Sequence, residues 1–187
     1  MRRRRTIVLA LVGLAVAVVG LAIAAVVGWD LLKPGGRTIP PLAPSDQRAT
    51  SILVEKQARR MTLLRNGIAL KRYDISLGGD PMGHKRQEGD SRTPEGRYLI
   101  DFKNDRSRFH LSMRVSYPNA ADRESARKRG VPPGSDIMIH GLPNGLGWLG
   151  RWQLARDWTD GCIAVTNSEV EEIWSVVDVG TPIEIKP

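Results

Sequence analysis

Cys162 is the only cysteine in 187 residues. It closes Thr159-Asp160-Gly161-Cys162 and is followed by the apolar run Ile163-Ala164-Val165. His140 lies 22 positions upstream, at the end of the short run Asp136-Ile137-Met138-Ile139-His140, and is followed by Gly141. A single thiol cannot form an intrachain disulfide. A cysteine and a histidine that meet in the fold can do nucleophilic chemistry, because the imidazole takes the thiol proton and leaves a thiolate. The bland alternative is a buried, inert cysteine, since this residue type is among the most buried. The surroundings favour chemistry. Gly161 lets a substrate backbone come close to the sulfur. A histidine within hydrogen-bond reach lowers a thiol pKa and serves as general base and then acid. The backbone N–H of Cys162, with that of Gly161 or Asp160, suits a developing oxyanion. Thr159 either bonds within such a site or only stabilises its turn. An activated Cys162 is expected to alkylate well below the ordinary thiol pKa of about 8.5.

These residues must be held by the elements around them. Ser51 to Lys56, Met61 to Arg65 and Ile68 to Ile75 read as strands, the last two joined by Asn66-Gly67. Asn-Gly between β-like runs signals a hairpin, because both turn positions need positive φ. Residues 76–96 are rich in Gly, Pro and charge. A loop of that length tends to be functional. Arg97 to Phe102 and Phe109 to Ser116 alternate as strands, and Asn119 to Arg129 reads as a polar helix stopped by Gly130. Asp136 to His140 and Cys162 to Val165 are short strands. Between them, Leu142 to Trp158 holds three tryptophans and three glycines and reads as a flap. Asn167 can cap a helix through about Val177, with Val170, Ile173, Trp174 and Val177 facing inward. Thr181 to Lys186 closes the chain as a strand. About eight short strands with two or three helices predict a mainly β fold, a β-sandwich or partly closed barrel with peripheral helices.

The first residues belong to targeting rather than to the fold. Arg2 to Arg5 form a basic segment over residues 1–5, and an uncharged run fills 6–29. About 20 apolar residues span a bilayer as a helix. A single transmembrane signal anchor is expected, with a cleaved signal peptide as the competing reading. The arginines should stay cytoplasmic, which puts the remainder in the periplasm or outside the cell. Residues 30–49 read as a Pro/Gly linker and residues 50–187 as the catalytic domain. The chain carries +8, of which Arg2 to Arg5 supply four. The mildly basic remainder has no long Lys/Arg run, so no nucleic-acid partner is expected.

Two blocks of residues together resemble a known family, the L,D-transpeptidase catalytic domain of the YkuD type. One block is His140-Gly141, a spacer, then Thr159-Asp160-Gly161-Cys162-Ile163. The other is Ser76-Leu77-Gly78, Pro81, Gly83, Lys85, Gly89-Asp90, Arg92-Thr93-Pro94-Glu95-Gly96 and Tyr98. The resemblance implies Cys162 as nucleophile and His140 as base. It implies peptidoglycan stem peptides as substrate, an acyl-enzyme thioester with loss of D-Ala, and transfer to an amine in a 3→3 cross-link. No metal or other cofactor is needed. Water as acceptor would make a carboxypeptidase, and cleavage of a protein from the wall would make an amidase with a lipoprotein substrate. A wall-binding module that has lost catalysis is the reading from a different class. The chain departs from the family twice. Asp160 stands where a histidine is usual, and Ala164 where an arginine is frequent. Asp160 could orient His140 or a substrate amine, or accept hydrogen bonds at its turn. Trp148, Trp152 and Trp158 either line a substrate groove or pack the flap down, with packing the plainer reading. Arg151 and Arg156 could meet substrate carboxylates or be solvated. Asn167 could brace the Cys162 loop as well as cap its helix.

Overall fold

A computed structural model describes residues 39–187, so the expected basic segment, the anchor and residues 30–38 of the expected linker lie outside the described residues. Among the described residues no helix is long and apolar enough to cross a membrane.

Alternating burial builds the first strands. β1 (Ser51–Glu55) turns Ile52 and Val54 inward and pairs antiparallel with β2 (Arg60–Arg65). The Asn66-Gly67 turn has φ of 51° and 81°, as expected for a tight hairpin, and delivers β3 (Ile68–Asp74). β4 (Gly96–Asn104) and β5 (Ser112–Val115) form the next antiparallel pair. β5 is shorter than its alternation suggests. His110 has φ of 64°, outside the β region, so the chain reaches the sheet only afterwards. Helix α1 (Ala120–Arg129) follows, capped by Asn119 and ended by left-handed Gly130. Then come β6 (Met138–His140), β7 (Ile163–Ala164), helix α2 (Asn167–Val176) and β8 (Pro182–Lys186).

The eight strands make one sheet in the order β3-β2-β1-β8-β4-β5-β6-β7. β8 enters its middle, parallel to β1 and antiparallel to β4. The two ends of the sheet curl towards each other. Ser76, two residues past β3, exchanges backbone hydrogen bonds of 3.0 and 2.8 Å with Ala164 of β7. Of the two expected architectures the structure therefore favours the partly closed barrel. A single sheet that nearly meets itself leaves no second layer for a sandwich.

The core inside the curl joins Ile52, Val54, Met61, Leu63, Ile100, Ile183 and Ile185 to Val170, Ile173 and Trp174 of α2. α2 starts one residue earlier in capping terms than expected. Thr166, not Asn167, is its N-cap, in a reciprocal capping box with Glu169.

Candidate active site

β6 and β7 run parallel, with Ile139 opposite Ile163 and His140 opposite Ala164. Continuing that register puts Met138 beside Cys162, and the Met138 N–H does donate to Cys162 Sγ at 3.4 Å. Residues two apart on a strand share a face. Met138 and His140 therefore face the same way as Cys162 and Ala164. Strand spacings of about 4.8 Å sideways and about 6.6 Å for two residues make His140 and Cys162 diagonal neighbours. Both line one cavity of about 490 Å³, together with Phe109, Ser112, Asp136, Trp158, Thr159 and Asp160.

His140 is almost wholly buried, at 3% exposure. Its Nδ1 is 2.6 Å from the Gly141 carbonyl oxygen. A carbonyl only accepts, so Nδ1 carries the proton and Nε2 keeps the lone pair. Phe109 and Trp158 hold the ring, at centroid distances of 4.6 and 5.7 Å. This enclosure pushes His140 down to about 4, against the smaller upward pull of the Gly141 hydrogen bond.

Cys162 is partly exposed to the cavity. Its S–H donates to the Asp136 carbonyl at 3.5 Å. Desolvation pushes the thiol up to about 11, aided by the charge of Asp160 and opposed by the Met138 N–H. The expected lowering of the thiol by His140 is therefore not found in the resting site. Burial acts on both groups towards neutrality, because neither finds the other's charge as compensation.

The loop carrying Cys162 is shaped by contacts behind it. Gly161 has φ of 120°, and a Cβ there would lie 2.4 Å from the Arg92 carbonyl oxygen. A Cβ on Gly78 would meet the Ser91 carbonyl oxygen at 2.0 Å and the Gly161 Cα at 2.9 Å. Thr159 Oγ1 donates to the Cys162 carbonyl at 2.8 Å and accepts from the Gly161 N–H at 3.1 Å. That bond engages the Gly161 amide. No hydrogen bond among the described residues engages the N–H of Asp160 or of Cys162. Asp160 itself is exposed at the cavity and bonds neither His140 nor the turn backbone.

The second sequence block is the back wall of this loop. Thr93 Oγ1 accepts from the Gly78 N–H at 3.2 Å, and Lys85 pairs with Asp90 at 2.8 Å. Buried Lys56 donates to the carbonyls of Gly83 and Thr93 and to Glu95, at 2.6 to 2.9 Å. Nothing in the sequence marked Lys56, because its partners lie across a loop.

The flap divides its residues. It is a two-piece 3-10 segment, Gly147–Ala155, broken at Gly150 with φ of 48°. Trp148 and Trp152 are 77% and 82% exposed, so neither packs the flap down and neither lines the Cys162 cavity. Buried Gln153 does the packing. Its carbonyl accepts from Ser76 Oγ, its amide lies 3.5 Å from the Ala164 carbonyl, and Trp158 Nε1 donates to its Oε1 at 3.0 Å. Trp158 is thus a cavity wall. Arg151 pairs with Asp74 at 2.6 Å and lines a different depression, so it is a flap tether rather than a substrate contact at Cys162. Arg156 also lies outside the Cys162 cavity. Asn167 has no capping role. Its Oδ1 accepts from the Leu142 N–H at 2.9 Å, and its side chain fits against Gly141 and Gly147, where a Cβ would come within 2.7 and 2.5 Å.

The cavity is also lined by Asn104, Arg106, Ser107 and Arg108, which the sequence reading did not single out. They lie between the end of β4 and β5, just past the second block and within neither.

Comparison with known proteins agrees with this geometry. The profile of the L,D-transpeptidase catalytic domain family, YkuD, matches residues 49–185. YafK of Escherichia coli K12 is 30% identical over 111 residues, 58% of this chain and 37% of that protein. The helical cell shape determining protein Pgp2 of Campylobacter jejuni is 25% identical with a TM-score of 0.55, over 81% of this chain and 52% of that one. Bd1075 of Bdellovibrio bacteriovorus shares the fold at 23% identity and a TM-score of 0.52, over 79% of this chain and 51% of that one. The chain spans about half the length of these structures and little more than a third of YafK. With 49–185 matched and Cys162 and His140 lining one cavity, the chain belongs to the L,D-transpeptidase catalytic domain family.

Proposed function

We propose that the chain is a cysteine L,D-transpeptidase acting on peptidoglycan stem peptides. The observation that supports it most is the commitment of His140 Nδ1 to the Gly141 carbonyl. It leaves Nε2 as the base in the cavity that also holds Cys162. In this reading Nε2 takes the thiol proton as sulfur attacks the carbonyl of the third stem residue. The N–H groups of Cys162 and Asp160 receive the oxyanion, since Thr159 has already engaged that of Gly161. The imidazolium protonates the departing D-Ala amine and leaves a thioester. An acceptor amine then loses its proton to His140, attacks the thioester and returns the thiol. The apolar stretch 6–29 is proposed, from its pattern alone, to anchor the domain on the outer side of the cytoplasmic membrane.

The test is to incubate the full chain with a disaccharide-tetrapeptide and follow product masses beside Cys162→Ala. Dimer with loss of D-Ala, abolished in the variant, is the expected result. Tripeptide alone would mean that water is the acceptor. Full turnover by Cys162→Ala would overturn the mechanism. An unchanged substrate would direct the search to protein-linked wall or to a binding module.

A further inference from the structure

The family position two residues after the nucleophile is Ala164 here, and it is fully buried beneath Gln153 of the flap. No side-chain cation can reach substrate from there. The cavity nevertheless has cations on another wall. Arg106 and Arg108 line it from the β4–β5 loop, on either side of buried Ser107.

That loop is built as a support. The Phe109 N–H donates to Ser107 Oγ at 3.0 Å. Asn144 donates its side-chain amide to the Ser107 carbonyl and its N–H to the Arg108 carbonyl, and accepts from the His110 N–H, all within 2.9 to 3.1 Å. His110 Nε2 lies 2.6 Å from Glu171 of α2. The backbone is held from three sides. Both arginines are exposed. The acids of the cavity, Asp136 and Asp160, belong instead to the segments that flank the sulfur. The cavity therefore carries positive charge on the loop wall and negative charge on the nucleophile wall.

We infer that Arg106 and Arg108 form a carboxylate-binding site that selects acyl donors with a free carboxylate beside the scissile bond. Guanidinium forks match carboxylates with two parallel hydrogen bonds and shed water more readily than an ammonium. A ligand that bears both a carboxylate and an amine, as a diamino-acid stem peptide does, complements the two walls together. The site supplies from the loop a cation that the buried position 164 cannot present. This inference rests on the proposed function, with Cys162 attacking a peptide.

The experiment compares a tetrapeptide stem with its carboxylates free and the same stem with the carboxylate nearest the scissile bond converted to its amide. The full chain and the double variant Arg106→Gln/Arg108→Gln are assayed on both. The wild type should prefer the free acid by about tenfold or more in kcat/KM. The double variant should lose that preference through KM, with kcat and the amide substrate little changed, and Arg106→Lys/Arg108→Lys should recover part of it. Calorimetry with Cys162→Ala should show the same weakening for the free acid without turnover. Equal discrimination in wild type and double variant would overturn the inference while leaving the enzyme standing, as would an equal loss on acid and amide. If the wild type turns over neither peptide and Cys162→Ala binds neither, the proposed function fails and the inference falls with it.

Discussion

A thiol pushed up to about 11 facing an imidazole pushed down to about 4 is a neutral pair at pH 7. The site does not store a thiolate. Proton transfer must accompany the arrival of substrate, whose polar groups replace the water that burial removed. Alkylation of the resting protein by a small neutral reagent should therefore rise with pH well past 8.5, towards a midpoint near 11. A rate plateau below pH 7 would show a preformed ion pair instead. The imidazole has a second consequence. Its folded pKa lies below the ordinary 6.5, so the unfolded chain binds the proton more tightly. Its contribution to stability is full above pH 6.5 and falls as pH drops towards 4, by at most about 1.4 kcal/mol per unit. Denaturant titrations at pH 7 and pH 4.5 should show this slope, reduced in His140→Gln. The identities of both residues were legible in the chain, from one cysteine and a histidine ending an apolar run. Their protonation was not, because it depends on Phe109, Trp158 and the Gly141 carbonyl, which the fold assembles from separate segments.

Elements with a strong local pattern were legible to within a few residues. The Asn66-Gly67 hairpin and α1, with its Asn119 and Gly130 boundaries, needed only short-range chemistry. Thr166 and Asn167 can both cap a helix, and the choice between them is made by Leu142, whose N–H claims the Asn167 side chain. Thr166→Ala should cost about 1 kcal/mol of stability with little effect on turnover. Asn167→Ala should instead affect turnover, by loosening the flap entry at Gly141, and a melting curve beside a rate would separate the two. Gly78→Ala is expected to be more severe than either. The added Cβ has only backbone within 3 Å, so Gly78, Ser91 or Gly161 must move. A loss of about 1–3 kcal/mol together with most activity is expected. Wild-type kinetics in that variant would show that the nucleophile loop tolerates displacement.

For the whole molecule, the curl of the sheet is what brings distant segments to one cavity. Hydrophobic alternation announced eight strands, but it carries no information on which edges meet. The closure between Ser76 and Ala164 depends on a pair of backbone bonds and on Gln153 filling the seam. Buried Lys56 ties the back wall by three hydrogen bonds. Lys56→Met should cost about 3 kcal/mol, because Glu95 and two carbonyls are left without their donor. A melting temperature equal to wild type would remove Lys56 from that role.

The place of β8 between β1 and β4 bears on how the protein is made. Ile52 waits for Ile183, and Tyr98 for that same residue, so both neighbouring edges stay bare until residues 182–186 are made. Bare edges invite pairing with other chains. A nascent chain stalled at residue 180 should be cut readily by protease, whereas one extended by a linker past residue 186 should resist. Until then the Cys162 thiol would remain unassembled on the ribosome, and chaperones that hold open strands would see this protein.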